Sequence, residues 1–418
     1  MTDGHRVRTL NRGMQSSTSP VTRPLEALRV PLGPAVLRRI FPAVAAALEG
    51  GPALLPVPER PTAVRDAMLQ TLRPGTPLED VEGDPVALVV PTSGSSGEPK
   101  GVLLGAAALK AAADAAHARL GGPGRWLLAL PATHVAGLMI LVRSVAAGTQ
   151  PVAVDLTDGF DPESFAAASV HVLGGTASRR YTALVPHQLG MILDAGGATV
   201  DALTAYDAVL VGGSAAAPGL LDRAREAGVR VVTTYGMTET CGGCVYDGFP
   251  LDGIRLATTD DGRVRVAGPT LARGYRLRPD LTAEAFADGW FTTADVGRVH
   301  PDGRLEVCGR VDDVAVSGGV NVPLAAVDAV VGEHPGVAAV VAVALPDDDW
   351  GQRVVAVLVP RDPDHPPTLE SVRAHVTRRA PAAHAPKELV VVDELPLLPG
   401  GKLDRRGLAA HLLKTSPA

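Results

Sequence analysis

Residues 91–101, PTSGSSGEPKG, gather the groups that hold phosphate oxygens. Hydroxyl side chains at Thr92, Ser93, Ser95 and Ser96 are interleaved with Gly94 and Gly97. The glycines let backbone N–H groups converge on an anion, and Lys100 adds a point charge. A Walker loop needs Gly directly before its lysine and a hydroxyl directly after, whereas Pro99 and Gly101 occupy those places here. Taken alone, the run also suits a plain Gly/Ser surface loop, and the rest of the chain has to decide.

Three further blocks carry chemistry. In 233–240, TTYGMTET, an aromatic beside a glycine can stack on a flat ring, and the Thr and Glu that follow can hold a phosphate oxygen and its Mg²⁺. In 292–297 and 309–313, TTADVG and GRVDD, a carboxylate and an arginine can grip the two hydroxyls of a ribose. In 395–405, LPLLPGGKLDR, prolines and glycines make a loop with Lys402 at its tip. Each block also reads, alone, as an ordinary solvated turn or surface loop. Cys241-Gly242-Gly243-Cys244 has no second ligand pair for zinc and no thioredoxin-like context, so small residues packing beside a substrate channel are the better reading.

These residues need rigid elements to place them. The phosphate-type loop lies between a β-prone run at 85–90 and an Ala-rich helical stretch at 105–120. Beyond it, strand-like segments at 126–130, 150–155, 183–185, 208–211 and 229–233 alternate with helical ones such as 161–168 and 218–227. Such alternation predicts a parallel α/β architecture. Residues 24–72 read as short helices broken by prolines. From about 254 the texture becomes β-rich, with Asp-Gly turns at 261–262, 288–289 and 302–303. Beyond 310 it changes again: helices at 324–331 and 369–379, and strands at 337–344, 354–359 and 389–392. The expected organisation is a disordered 1–20, an N-terminal core over 21–310 and a small mobile α+β C-terminal domain over 313–418. The fold class is α/β, with a large N-terminal domain of α/β layers and a β-rich subdomain.

Composition bounds the rest. Of 418 residues, 46 % are hydrophobic and 20 % charged, which describes a globular protein with a large core. A net charge of −6 without a basic stripe argues against nucleic acid as a partner. Three cysteines give no disulfide framework, which suits a reducing cytoplasm. There is no apolar leader at the start, and no apolar run approaches the length of a membrane span.

The four blocks, in this order, resemble the adenylate-forming superfamily: acyl- and aryl-CoA ligases, luciferases and the adenylation domains of peptide synthetases. The resemblance covers about 85–410. It implies that Thr92, Ser93, Gly94, Ser95, Ser96, Gly97 and Lys100 embrace the β- and γ-phosphates of ATP. Gly213, Ser214 and Ala215 would line the adenine, with Tyr235 stacked on it beside Gly236. Thr238 would touch the α-phosphate and Glu239 would hold Mg²⁺. Asp295 and Arg310 would bind the ribose, Asp312 would be the hinge, and Lys402 would be the catalytic lysine bridging the acid and the α-phosphate. His134, in PATHVAG, would gate the acid. Ser317-Gly318-Gly319 would admit the thiol of coenzyme A, although Val320 stands where the commoner pattern has Glu.

Which acid is narrowed, not closed. The runs 134–149, 180–189 and TETCGGCVYDGFPLDG look more like the o-succinylbenzoate–CoA ligases of menaquinone synthesis than like fatty-acyl ligases. The short stretch before the phosphate loop points the same way. o-Succinylbenzoate is a dianion, and Arg143, Arg179, Arg180 and His187 are candidates for its second carboxylate. Another aryl- or acyl-CoA ligase, or an adenylation protein loading a separate carrier domain, remains the alternative. The expected partners are a small carboxylic acid, ATP and CoA, and a homodimer is neither required nor excluded by the sequence.

Overall fold

The computed structural model describes residues 22–79, 84–93, 99–174, 179–216, 218–311, 313–396 and 403–415. Gly94, Ser95, Ser96, Gly97, Asp312 and Lys402 lie outside these described residues, as does the expected disordered N-terminus.

The largest sheet has seven strands in the order Phe249–Pro250, Gly242–Tyr246, Val231–Met237, Ala208–Val211, Arg180–Leu184, Arg125–Leu128 and Val152–Ala153. The last five are parallel, and the first two are added antiparallel. Its central strand Ala208–Val211 is apolar at every position because both faces are covered. In Ala208–Val211, Ala208 and Leu210 join one core while Val209 and Val211 join another on the opposite face. A strand buried on both sides has no polar face to show, so it reads as a continuous apolar run. Between this sheet and the next lies helix Val135–Ala146, whose residues from Gly137 to Ser144 are all buried. A helix apolar all round is a core helix. Gly137 lets it start against the carbonyls of Leu130 and Pro131, where a Cβ would collide.

The second sheet orders Leu25–Val30, Ala53–Pro58, Val86–Ser93 and Pro99–Gly105. The first three strands are parallel and the fourth is antiparallel. Two of these strands occupy the region that the sequence reads as helices alone. Ala53–Pro58 carries two prolines, which normally argue against a central strand. Both prolines stand in register with Leu25–Val30, opposite Leu28 and Val30, while the ladder to Val86–Ser93 is confined to Leu54↔Leu88, before either proline. Helices Ala35–Leu48 and Thr62–Leu72 lie in the same region, as expected. The phosphate-type stretch also differs from expectation. A strand, Pro99–Gly105, stands between the loop and helix Ala106–Leu120, so the loop joins two antiparallel strands, with Thr92 opposite Lys100.

The third sheet is antiparallel: Arg255–Thr258, Arg263–Ala267, Trp290–Val299 and Phe286–Ala287, with Leu305–Arg310 on Trp290–Val299. All three expected Asp-Gly turns put their glycine at positive φ, between +75° and +86°. The fourth sheet comprises Val320–Pro323, Val314–Ser317, Gly351–Pro360 and Val337–Asp347, with Glu388–Val391 parallel to Gly351–Pro360. Helices Leu324–Gly332, Leu369–Thr377 and Arg405–Thr415 cover it. Arg405 ties the last of these helices to Asp328 at 2.6 Å and to Asp313 at 3.6 Å. Among the described residues, no helix is long and apolar enough to cross a membrane.

Candidate active site

The parallel strands all point the same way, so the loops leaving their carboxyl ends gather along one rim, the usual ligand side of an open α/β sheet. From Arg125–Leu128 the chain runs into Pro131 and His134. From Arg180–Leu184 it enters helix Pro186–Ala195 at His187, and from Ala208–Val211 it passes to Gly213, Ser214 and Ala215. Gln188 locks two of these loops together, accepting from the Val185 N–H at 3.0 Å and donating to the Ala129 carbonyl at 2.9 Å. Gly213, Ser214 and Ala215 are exposed on this rim.

The neighbouring strand, Val231–Met237, outruns the rim. It does not stop before Tyr235, as the sequence suggests, but carries Tyr235 and Gly236 within it, paired to the Gly242–Tyr246 strand. Gly236 is required by that pairing, since a Cβ would strike the Gly242 carbonyl and Gly243. Thr238, Glu239 and Thr240 form a 3₁₀ turn, in which the buried Thr240 hydroxyl accepts from the Met237 N–H at 3.0 Å. His134 caps helix Val135–Ala146, whose first turns abut this segment. A Cβ on Gly242 would lie 3.2 Å from Met139 and 3.9 Å from Val135.

Two carboxylates organise the polar side chains. Asp295, 8 % exposed, accepts from the Tyr235 hydroxyl on one oxygen at 2.8 Å and from Arg310 on the other at 2.9 Å. Asp295 and Arg310 face each other across antiparallel strands, so residues fifteen apart in sequence meet as a cross-strand pair. Glu239 accepts from the Tyr275 hydroxyl at 2.9 Å, and the Lys100 ammonium lies 5.5 Å from the centre of the Tyr275 ring. The structure therefore assembles Tyr235, Asp295 and Arg310 in one group and Lys100 and Glu239 in a second, with Thr238 buried beside Glu239. Tyr275 was missed in the sequence. It sits in 271–276, LARGYR, with only a glycine beside an aromatic to mark it.

Of the four cationic candidates for a second carboxylate, only His187 stands on the rim, where it is exposed. Arg179 precedes its strand and Arg180 opens it, and the Arg179 carbonyl accepts from the N–H of Arg125, so both lie at the opposite edge. Arg143 is buried in the last turn of its helix, over the Trp126 ring at 5.1 Å and 3.3 Å from the Tyr246 hydroxyl. Its charge, added to burial, holds His117 down to about 4. Cys241, Cys244 and Cys308 are all unbridged. Burial raises the thiols of Cys241 and Cys244, the latter to about 11, as befits packing residues rather than metal ligands or nucleophiles. In the turn between strands Val314–Ser317 and Val320–Pro323, the Gly318 N–H donates to the Trp350 carbonyl at 2.9 Å. The Trp350 ring is 44 % exposed, with the Lys387 ammonium 3.6 Å from its centre.

Burial, reinforced by Asp295 and Glu239, pushes the hydroxyls of Tyr235 and Tyr275 well above the ordinary tyrosine range, so both remain neutral donors to their carboxylates. Burial likewise raises Tyr181, Tyr206 and Tyr246, which completes the five tyrosines of the chain. The unfolded chain releases these protons near pH 10 while the native one keeps them, so native stability falls as pH climbs above about 10. In a spectrophotometric titration, tyrosinate absorbance should appear later than for free tyrosine and together with loss of the fold. A tyrosine ionising singly near its free value would mark a hydroxyl that the fold does not hold.

Comparison with known proteins bears on this geometry. The model of the AMP-binding enzyme family matches residues 46–276, and that of the AMP-binding enzyme C-terminal domain matches 326–402. The chain is 48 % identical over 389 residues to a probable 2-succinylbenzoate–CoA ligase of Mycobacterium tuberculosis, covering 92 % of this chain and 97 % of that one. It is 32 % identical over 360 residues to the 2-succinylbenzoate–CoA ligase of Geobacillus kaustophilus, covering 81 % and 71 %. Among solved structures, it resembles the o-succinylbenzoate CoA synthetase of Bacillus subtilis in complex with its acyl-adenylate intermediate. That match has a TM-score of 0.69 and 25 % identity, over 88 % of this chain and 80 % of the other.

Proposed function

The chain belongs to the AMP-binding enzymes of the adenylate-forming superfamily and is an AMP-forming acid–CoA ligase; on that premise we propose that it converts 2-succinylbenzoate (o-succinylbenzoate) to its CoA thioester. The observation that carries the choice of acid is the near full-length match, at 48 % identity, to a probable ligase of that substrate. The two carboxylate-centred groups on the rim support the nucleotide chemistry. Asp295 and Arg310 suit a ribose, with Tyr235 fixing the carboxylate and offering its ring to the adenine beside Gly213, Ser214 and Ala215. Thr92, Ser93, Gly94, Ser95, Ser96, Gly97 and Lys100 would take the β- and γ-phosphates, and Thr238 the α-phosphate.

The donor set fits Mg²⁺. Glu239 is a hard oxygen donor, and a single carboxylate leaves the ion most of its waters. Bound there, Mg²⁺ would offset the charge of the phosphates.

In the first step an oxygen of the acid's carboxylate bonds to the α-phosphorus, the bond to pyrophosphate breaks, and pyrophosphate leaves with the electron pair. The barrier is largely electrostatic, because an anion attacks an anionic centre. Lys402 would bridge the two, and His134 would gate the acid's entry. In the second step the CoA sulfur attacks the acyl carbon, its proton is lost to solvent, and AMP departs with the electrons of the broken C–O bond. The C-terminal domain would turn about Asp312 between the steps, exchanging Lys402 for the Ser317-Gly318-Gly319 face. The exposed Trp350 ring next to that loop, with Lys387 on it, supports a thiol that carries a nucleotide. His187 would receive the second carboxylate, at the rim and in the first turn of its helix, where backbone N–H groups also favour an anion. Three unbridged cysteines support residence in the reducing cytoplasm.

Pyrophosphate release should occur with 2-succinylbenzoate, and thioester should form when CoA is added. Turnover of simple benzoates or fatty acids at the same rate would move the enzyme to a broader acid class. Lys402→Ala should slow adenylate formation by about two to three orders of magnitude. The same variant should still convert preformed adenylate to thioester, and equal loss of both half-reactions would contradict the two-position mechanism. His187→Ala should raise KM for 2-succinylbenzoate on the order of tenfold, the value of one charge-assisted hydrogen bond, while sparing acids without the second carboxylate. An unchanged ratio removes His187 from the pocket.

A further inference from the structure

The segment Ala272–Arg276 is tied both to the turn that carries Glu239 and to the strand that carries Lys100. The Ala272 N–H donates to the Glu239 carbonyl at 2.8 Å. A short antiparallel ladder then joins it to the strand that leaves the phosphate loop. Arg273 N–H donates to Leu103, Leu103 N–H to Gly274 and Arg276 N–H to Gly101, at 2.9, 2.9 and 2.8 Å, around the bridge Val102↔Tyr275. Arg276, 4 % exposed, anchors the segment from below. Its guanidinium donates to the carbonyls of Leu72, Arg73 and Thr76 at 2.6, 3.0 and 3.0 Å, where helix Thr62–Leu72 ends and leaves carbonyls unpaired. Within this frame the Tyr275 ring packs against Phe286 at 5.8 Å, and its own N–H is held by the Thr282 hydroxyl at 2.9 Å. Only the ring's polar edge and one face are left for other work.

That work is visible in the two groups it meets. The hydroxyl donates to one oxygen of Glu239 at 2.9 Å, and the face lies 5.5 Å from the Lys100 ammonium. We propose that Tyr275 is a positioning residue of the adenylation step, fixing the rotation of Glu239 towards a divalent cation and holding Lys100 beside it until phosphate arrives. This rests on the reading of Glu239 as the cation's carboxylate. A carboxylate free to rotate presents its oxygens in many directions, and a hydrogen bond from a fixed phenol narrows that range. Outer partners of this kind typically change metal affinity about 10–100-fold when removed. The ring face attracts the ammonium only weakly, so Lys100 is parked rather than trapped.

Tyr275→Phe keeps the ring, the packing and the Lys100 contact, and removes one oxygen. Calorimetry of ATP binding with and without Mg²⁺, together with Mn²⁺ binding followed by electron paramagnetic resonance, reads the cation directly and without turnover. The Mg²⁺-dependent gain in ATP affinity should fall about tenfold, with affinity in the absence of metal and the thermal midpoint unchanged. On a Glu239→Gln background the same substitution should add nothing, because its effect passes through that carboxylate. A wild-type cation dependence in Tyr275→Phe overturns the proposal, and so does an undiminished effect on the Glu239→Gln background. If Glu239→Gln itself keeps the full Mg²⁺ dependence, the carboxylate assignment is what has failed, and the role of Tyr275 falls with it.

Discussion

A strand buried on both faces can offer polar groups only where it ends, and that constraint shapes this molecule. Ala208–Val211 sends every side chain into one of two apolar cores. Nothing chemical can happen along its length. The polar residues collect where the chain leaves the sheet, and because the strands are parallel those exits share a rim. His134, His187, Gly213 and Tyr235 come together there although they span about a hundred residues of sequence.

Charge on that rim is managed by neutral donors as much as by cations. Asp295 and Glu239 each take a proton-bearing tyrosine, and in both cases burial keeps the phenol protonated. A phenol orients a carboxylate without cancelling its charge, so the carboxylate can still act on a ligand. A salt bridge alone would orient more strongly and neutralise more. Asp295 has one of each, with Arg310 more exposed than the carboxylate it holds.

Much of this was legible in the residues, and the exceptions have physical causes. The alternation of strands and helices after residue 120 was readable because each apolar run is bounded by turn residues. Leu25–Val30 and Ala53–Pro58 were not, because one has a helix-like mixture of Leu, Glu, Ala and Arg, and the other contains prolines that only long-range pairing can excuse. Pro99–Gly105 was hidden for the same reason: its partners include residues near 274, beyond the reach of any local pattern. The motif residues Lys100, Glu239, Asp295 and Arg310 announced themselves by type and order. Tyr275 did not, since its part depends on a fold that brings position 275 to position 239. Arg143, Arg179 and Arg180 show the converse, cations that look available in a string of letters but lie at the wrong end of the sheet.

Arg310 closes the pair with Asp295 from the last position of its strand, and the C-terminal sheet begins at Val314. The pivot proposed at Asp312 is two residues along the chain from the arginine that would seat the sugar. A turn about that pivot would keep its origin close to the nucleotide. Two successive reactions at a single phosphorus–acyl junction could then be served from the same reference point, with no need to release the intermediate between them.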